Sequence, residues 1–284
     1  MLRGEELKGA GLAVAATACF SAGAVLVRFA QALSPFEVTA YRLLLGAALV
    51  GAAARIRGLP LALEGRLRLQ VLGVGLVAAL HFLTFISSIY YTTIAHALTL
   101  TYTAPAMVAV ASGLLFRERL RARQALGIGL AVVGIAILAG FEPTLTARML
   151  TGDLLALGAA ASFAAYSLLG RQLRAALPLL RYVFWLYLTA GLLTLPLAGA
   201  TLTAPYASGP LLAVALQALL PLALGHTLYN AAVRHLSPTL VSLIASQEVT
   251  GGVLLGWVLL GEGVTPTTFA GMAVTLAGII LVLL

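Results

Sequence analysis

Residues 114–135 read LLFRERLRARQALGIGLAVVGI and residues 258–279 read VLLGEGVTPTTFAGMAVTLAGI. A shift of 144 places lays the first stretch on the second, matching Leu115 with Leu259, Glu118 with Glu262, Gly127 with Gly271, Gly134 with Gly278 and Ile135 with Ile279. Earlier in the chain a shift of 143 matches Phe20 with Phe163, Arg28 with Arg171, Ala32 with Ala175 and Pro35 with Pro178. Chance agreement among Ala, Leu and Gly does not account for Arg, Glu and Pro recurring at two nearly equal shifts. The chain therefore reads as two copies of one unit, residues 1–140 and 141–284.

Each copy is too apolar for water. Of 284 residues, 61% are hydrophobic and 9% charged, against roughly 25% charged in a soluble domain. At about 20 residues per crossing, apolar windows fall near Gly9–Ala30, Pro35–Ala54, Leu69–Ser88, Thr93–Leu115 and Ala125–Ala139. In the second copy they fall near Leu154–Leu169, Tyr182–Ala200, Leu211–Val233, Thr239–Leu260 and Thr267–Leu284. The fold expected is an all-α integral membrane protein of ten transmembrane helices. The first window is too long for a signal-peptide core and is read as a retained helix.

Charge sets the orientation. Seventeen Lys+Arg oppose nine Asp+Glu. Fourteen of the cations fall in connections on one side, from Arg3 and Lys8 through Arg55–Arg68, Arg117–Arg123 and Arg171–Arg181 to Arg234; only Arg28, Arg42 and Arg148 lie toward the other. The positive-inside rule then puts both termini in the cytoplasm. The basic excess follows topology and does not point to nucleic acid. Five crossings per copy is an odd number, so the second copy runs through the membrane inverted, the arrangement by which two similar halves expose a midplane site to alternate sides. A lone Cys19 forms no internal disulfide and no metal-ligand cluster, so no metal or cofactor is expected.

Within each copy a long apolar helix ends in a Glu and is followed by a Gly-x6-Gly helix: Ala104-Pro105 through Glu118 to Gly127 and Gly134, and Gln247-Glu248-Val249 through Glu262 to Gly271 and Gly278. Pro35 and Ala40-Tyr41-Arg42-Leu43-Leu44-Leu45 add an arginine-bearing second helix. On these motifs the chain resembles the drug/metabolite transporter superfamily, EamA type, over essentially its whole length. Within it the chain is most similar to bacterial inner-membrane exporters of aromatic and other neutral amino acids. The resemblance implies ten helices, an inverted five-plus-five repeat, and a small-molecule substrate moving through a central cavity. It makes Arg42 a gating or structural residue, with a snorkelling arginine as the alternative, and matches Pro105 to a family proline that loosens the fourth crossing. One departure is Val249, where the family often carries proline, which leaves a helix break there in question.

Candidate substrate contacts follow from polar residues at membrane depth. Glu248 sits near the middle of the ninth crossing, where a carboxylate is costly and functional by default; it binds a substrate ammonium, holds a proton, pairs with His81 or His226, or fixes the helix. Ser242, Ser246 and Thr250 share its helix at spacings of four, with the bulkier Gln247 beside them. His81, Thr84, Phe85 and Ser88 form a stripe on the third crossing, and His96, Thr99 and Thr103 another on the fourth, with Tyr102 alongside. Single serines, threonines and histidines of this kind are ligands or packing residues. Tyr166, Asn230 and Trp185 complete the set of possible cavity residues, and Tyr90, Tyr91 and Trp185 also suit the membrane interface. An Arg42–Glu37 pair is possible. Gly127, Ala131 and Gly134, and Gly271, Thr275 and Gly278, form small-residue faces for helix packing within a monomer or a homodimer.

Rival classes find little support. There is no G-x-S-x-G turn, zinc-binding H-E-x-x-H or Walker loop, and Asp153 is the sole aspartate, which argues against an intramembrane enzyme. No filter motif suggests a channel. Phosphorylated substrates would need more basic residues at depth. A multidrug or other metabolite exporter of the same superfamily remains the alternative to an amino-acid exporter.

Overall fold

The structure, a computed structural model, describes residues 4–116, 121–140, 145–170, 173, 176–200, 207–232, 235–236, 241 and 244–283, and among these helix is the only regular structure. The helices are α1 (Gly4–Phe29), α2 (Pro35–Ile56), α3 (Gly65–Tyr91), α4 (Ile94–Thr101), α5 (Ala104–Phe116), α6 (Ala122–Gly140), α7 (Ala147–Leu169) and α8 (Leu179–Gly199). There follow α9 (Ser208–Gln217), a π-helical stretch (Ala218–Gly225), α10 (His226–Ala232), α11 (Glu248–Leu260) and α12 (Pro266–Leu283). Six are long and apolar enough to cross a membrane: α1, α2, α3, α7, α8 and the α9–α10 run; α6, α11 and α12 are shorter and apolar. On α3, Leu69, Leu72, Leu76 and Leu80 are each more than half exposed and recur at spacings of three and four, a stripe that suits contact with lipid.

Local chemistry sets the ends. Ser34 opens α2 with a capping box, its hydroxyl accepting from the Glu37 backbone N–H while Glu37 accepts from that of Ser34, ahead of Pro35 in the first turn. Thr93 caps α4 through the His96 N–H. At the end of α11, Gly261 adopts φ +67° and Glu262 N–H bonds back to Gly256 O at 3.2 Å. This left-handed cap needs glycine and fixes where Glu262 emerges.

Three departures from the expected windows have physical causes. The sixth window was bounded at Leu154, yet α7 begins at Ala147 and runs through Asp153, because that carboxylate is buried and satisfied. The fourth is split at Tyr102–Thr103, just before Pro105. The eighth contains a π-helical stretch around Pro221, whose missing N–H interrupts the α ladder.

The packing reproduces the repeat. Helix α6 packs along α12, and α2 along α8. Helix α3 lies against α7 as α1 lies against the α9–α10 run. Helix α1 also meets α11, and α7 meets α4 and α5. Each of these contacts has its counterpart with the two copies exchanged. Small residues permit the closest approach: a Cβ on Gly134 would meet Gly271 O at 2.8 Å, and one on Gly127 would meet Val282 N at 2.8 Å.

Candidate functional site

Two helix breaks face each other at the centre. In the first copy α4 ends and α5 begins across Tyr102–Thr103; in the second, a turn at Ser246–Gln247 precedes α11, which starts at Glu248. The shift of 144 carries Tyr102 onto Ser246, Thr103 onto Gln247 and Pro105 onto Val249. The break left in question at Val249 is present without proline. The Tyr102 hydroxyl reaches across the copies to donate to Glu248 Oε2 and lies 3.1 Å from Ala245 O. Glu248, in the first turn of α11, also faces the positive end of that helix. The broken helices thus bring a phenol and a carboxylate together between the two halves.

A band of aromatic rings runs between the two copies. His81 packs edge-on to Phe163 with ring centres 5.3 Å apart at 64°, and His226 packs edge-on to Phe20 at 5.1 Å and 64°. Phe20 and Phe163 are repeat mates, and so, within two places, are the histidines; the two Phe–His pairs are equivalent. Phe82 continues from His81 (5.0 Å) to Tyr187 (6.1 Å), and Tyr187 to His226 (6.2 Å). Tyr166 lies 5.5 Å from His81 and Phe85 6.3 Å from it, nearly parallel. His81 Nδ1 is also 2.9 Å from Ala159 O, which fixes its ring orientation.

Arg42 lies at the heart of this band, 4% exposed, its guanidinium 5.4 Å from the centre of the Phe82 ring. It donates to Gln217 Oε1 at 2.7 Å, and Gln217 in turn donates to Gly23 O. Glu37 and Arg42, five residues apart, project about 140° from one another around α2; Glu37 serves the cap and Arg42 turns to Gln217, so the anticipated pair gives way to these contacts. Gln217 is the last α-helical residue before the π stretch and His226 the first after it, so the irregular turn presents both.

Of the other predicted site residues, Thr84 spends its hydroxyl on Leu80 and His81 carbonyls of its own helix. Ser246 is buried, 1% exposed, in the turn before Glu248. Gln247 is exposed and accepts from Thr250 at 3.3 Å. Trp185 donates to Leu61 O at 2.6 Å in the α2–α3 connection, which ties its ring to an end of the bundle and removes it from the central group. The Asn230 side chain, Glu118, Arg171 and Ser242 lie outside the described residues.

Two further clusters lie near the ends of α3 and α4. Asp153 Oδ1 accepts from Thr92 Oγ1 at 2.7 Å, and Asp153 Oδ2 lies 3.0 Å from His96 Nδ1, both side chains almost wholly buried. Arg28 pairs with Glu262 at 2.6 Å and donates to Thr92 O at 2.8 Å and to Ile89 O. Glu262 Oε2 accepts from Ile94 N–H at 3.0 Å, so one ion pair joins α1, the α3–α4 turn and α11. Its sequence signals were Arg28 and Glu262, each matched in the repeat.

A helical pattern present in two copies, helix breaks that meet between them and deep polar residues among aromatic rings define a multi-pass membrane transporter of the drug/metabolite transporter superfamily. The EamA-like transporter family profile matches residues 7–140 and again 150–284, and the chain belongs to that family. A solved crystal structure shares the fold, with a TM-score of 0.69 and 20% identity over 96% of this chain and 95% of the other. No curated protein matches the sequence.

Proposed function

We propose that the protein is a ten-crossing exporter of neutral amino acids, aromatic ones above all, in the bacterial cytoplasmic membrane, with both termini inside. Its repeats, residues 1–140 and 141–284, rock about the central band to expose a substrate alternately to each side. The observation that carries this reading is the meeting of the two helix breaks at Tyr102 and Glu248. Broken helices at a repeat interface supply unpaired backbone and a charged side chain where a solute must be held and released. An aromatic wall with few polar groups suits a partly apolar, uncharged solute. The Arg28–Glu262 pair acts as the outer closure, since it joins the copies at the side where α1 and α11 end.

The test is counterflow of labelled phenylalanine, threonine and methionine into proteoliposomes holding the purified protein. Saturable uptake driven by internal unlabelled phenylalanine is expected. Folded protein that moves none of the three refutes the amino-acid assignment and leaves other metabolite or drug export in its place.

A further inference from the structure

Arg42 is a buried cation that makes no ion pair with a described residue. Its sole hydrogen-bond partner among the described residues is the neutral Gln217, and its Nε has none. A guanidinium carries five donors in a planar fork, so most of this one's capacity is unspent. Arg42 and Glu248 flank one stretch of α1, Arg42 reaching Gly23 O through Gln217 and Gly251, three residues after Glu248, packing against Ser21, yet the two form no direct ion pair. Glu248 spends Oε2 on Tyr102, and its Oε1 has no partner among the described residues. A cation and an anion thus stand on either side of α1, each with a free edge, and on the cation's side lies the Phe82 ring, which continues to Tyr187.

We infer that Arg42 and Glu248 form the two ends of one receptor for an α-amino acid zwitterion, Arg42 taking the carboxylate and Glu248 the ammonium. This rests on the amino-acid reading above and specifies how the backbone of such a substrate is recognised. The chemistry favours it on three counts. Leaving a buried charge unpaired is costly, and a carboxylate held by the free N–H groups of Arg42 removes that cost through charge-assisted bonds of about 2.8 Å. The substrate bridges the two charges, so neither protein group has to cross the gap. The bound complex adds no net charge to the membrane interior. The side chain then lies along the aromatic band, which accounts for a preference among neutral amino acids by shape and ring stacking.

The test is competition against labelled L-phenylalanine in proteoliposome counterflow, using L-phenylalanine, 2-phenylethylamine (no carboxylate) and 3-phenylpropanoate (no ammonium). With wild-type protein each single-ended analogue is expected to compete at least about tenfold more weakly than phenylalanine, since each forfeits one charged contact. Arg42→Gln should weaken phenylalanine by about thirtyfold and leave phenylethylamine within about twofold of its wild-type potency, while Glu248→Gln leaves phenylpropanoate so. Arg42→Lys keeps the charge and should retain the preference for a carboxylate. The proposal is overturned if wild-type protein accepts phenylethylamine or phenylpropanoate as well as phenylalanine, or if Arg42→Gln weakens phenylalanine and phenylethylamine alike. The wild-type panel needs no variant and decides even where substitution at Arg42 prevents folding. Wild-type protein that carries no amino acid fails at the earlier step, which separates loss of the amino-acid reading from loss of this one.

Discussion

In the orientation proposed above, removing the Arg28 side chain should unlock the outer end of the protein. Arg28→Ala deletes the 2.6 Å ion pair to Glu262, the 2.8 Å bond to Thr92 O and the bond to Ile89 O, while Glu262 keeps its contact with the Ile94 N–H. Hydrogen bonds to charged groups contribute roughly 1.5–3 kcal/mol each when sheltered. Here the side chains are 17% and 24% exposed, so water replaces part of what is lost and the low end applies. A net loss of about 2 kcal/mol from the outer-closed state is expected, which multiplies the open fraction by about thirtyfold at 1.4 kcal/mol per tenfold. Val253 offers the reporter, since it lies on α11 below Glu262 and is 9% exposed. With Cys19→Ala and Val253→Cys installed, intact cells are treated with a membrane-impermeant maleimide and labelling is timed. Arg28→Ala should label about thirtyfold faster, Arg28→Lys in between, and the exchange Arg28→Glu with Glu262→Arg should partly restore slow labelling. Rates within twofold in all backgrounds would show that this pair does not close the outer side.

Other outcomes follow from the packing and the buried polar contacts. Gly134→Ala places a methyl against the Gly271 carbonyl and Thr275, and thermal unfolding in detergent should report about 1–3 kcal/mol of destabilisation, whereas Gly129→Ala, with open space at its Cβ, should leave the midpoint nearly unchanged. Asp153→Ala leaves His96 and Thr92 without the carboxylate they share; a loss of about 3–5 kcal/mol should appear as a sharp fall in monodisperse protein on size-exclusion chromatography. Tyr102→Phe deletes only the hydroxyl that reaches Glu248, and phenylalanine counterflow should fall by about tenfold or more with folding intact.

The apolar windows, the internal repeat and the small-residue faces were legible because each depends on composition or on spacing along one helix. Every one of the ten windows holds at least one helix, and Gly127, Gly134, Gly271 and Gly278 lie at the seam expected of them. Glu248 and Tyr102 were both legible as deep polar residues, but their contact spans 146 positions and has no local signal. Arg42 was read as a gating or structural cation from the family resemblance, or as a snorkelling arginine, and its partner, Gln217, sits 175 positions away with no local signal. A single buried amide in the run Leu211–Leu224 was the available clue, together with Pro221 four places on. Trp185 suited both the cavity and the membrane interface by residue type, and its indole N–H bonds to the Leu61 carbonyl in the α2–α3 connection. Asp153 was treated as a boundary because charge usually ends a membrane span; Thr92 and His96 pay its cost from another helix.

At the seam between α6 and α12, Gly127 faces Gly278 while Gly134 faces Gly271. Since Gly271 and Gly278 are the repeat mates of Gly127 and Gly134, residue i of one copy touches the mate of residue j, and j touches the mate of i. That reciprocity is the mark of an isologous two-fold interface, here sewn into a single polypeptide. A side chain enlarged at Gly127 therefore presses on Gly278, and its duplicate at Gly271 presses on Gly134, so duplicate substitutions strain the seam at two symmetry-related places.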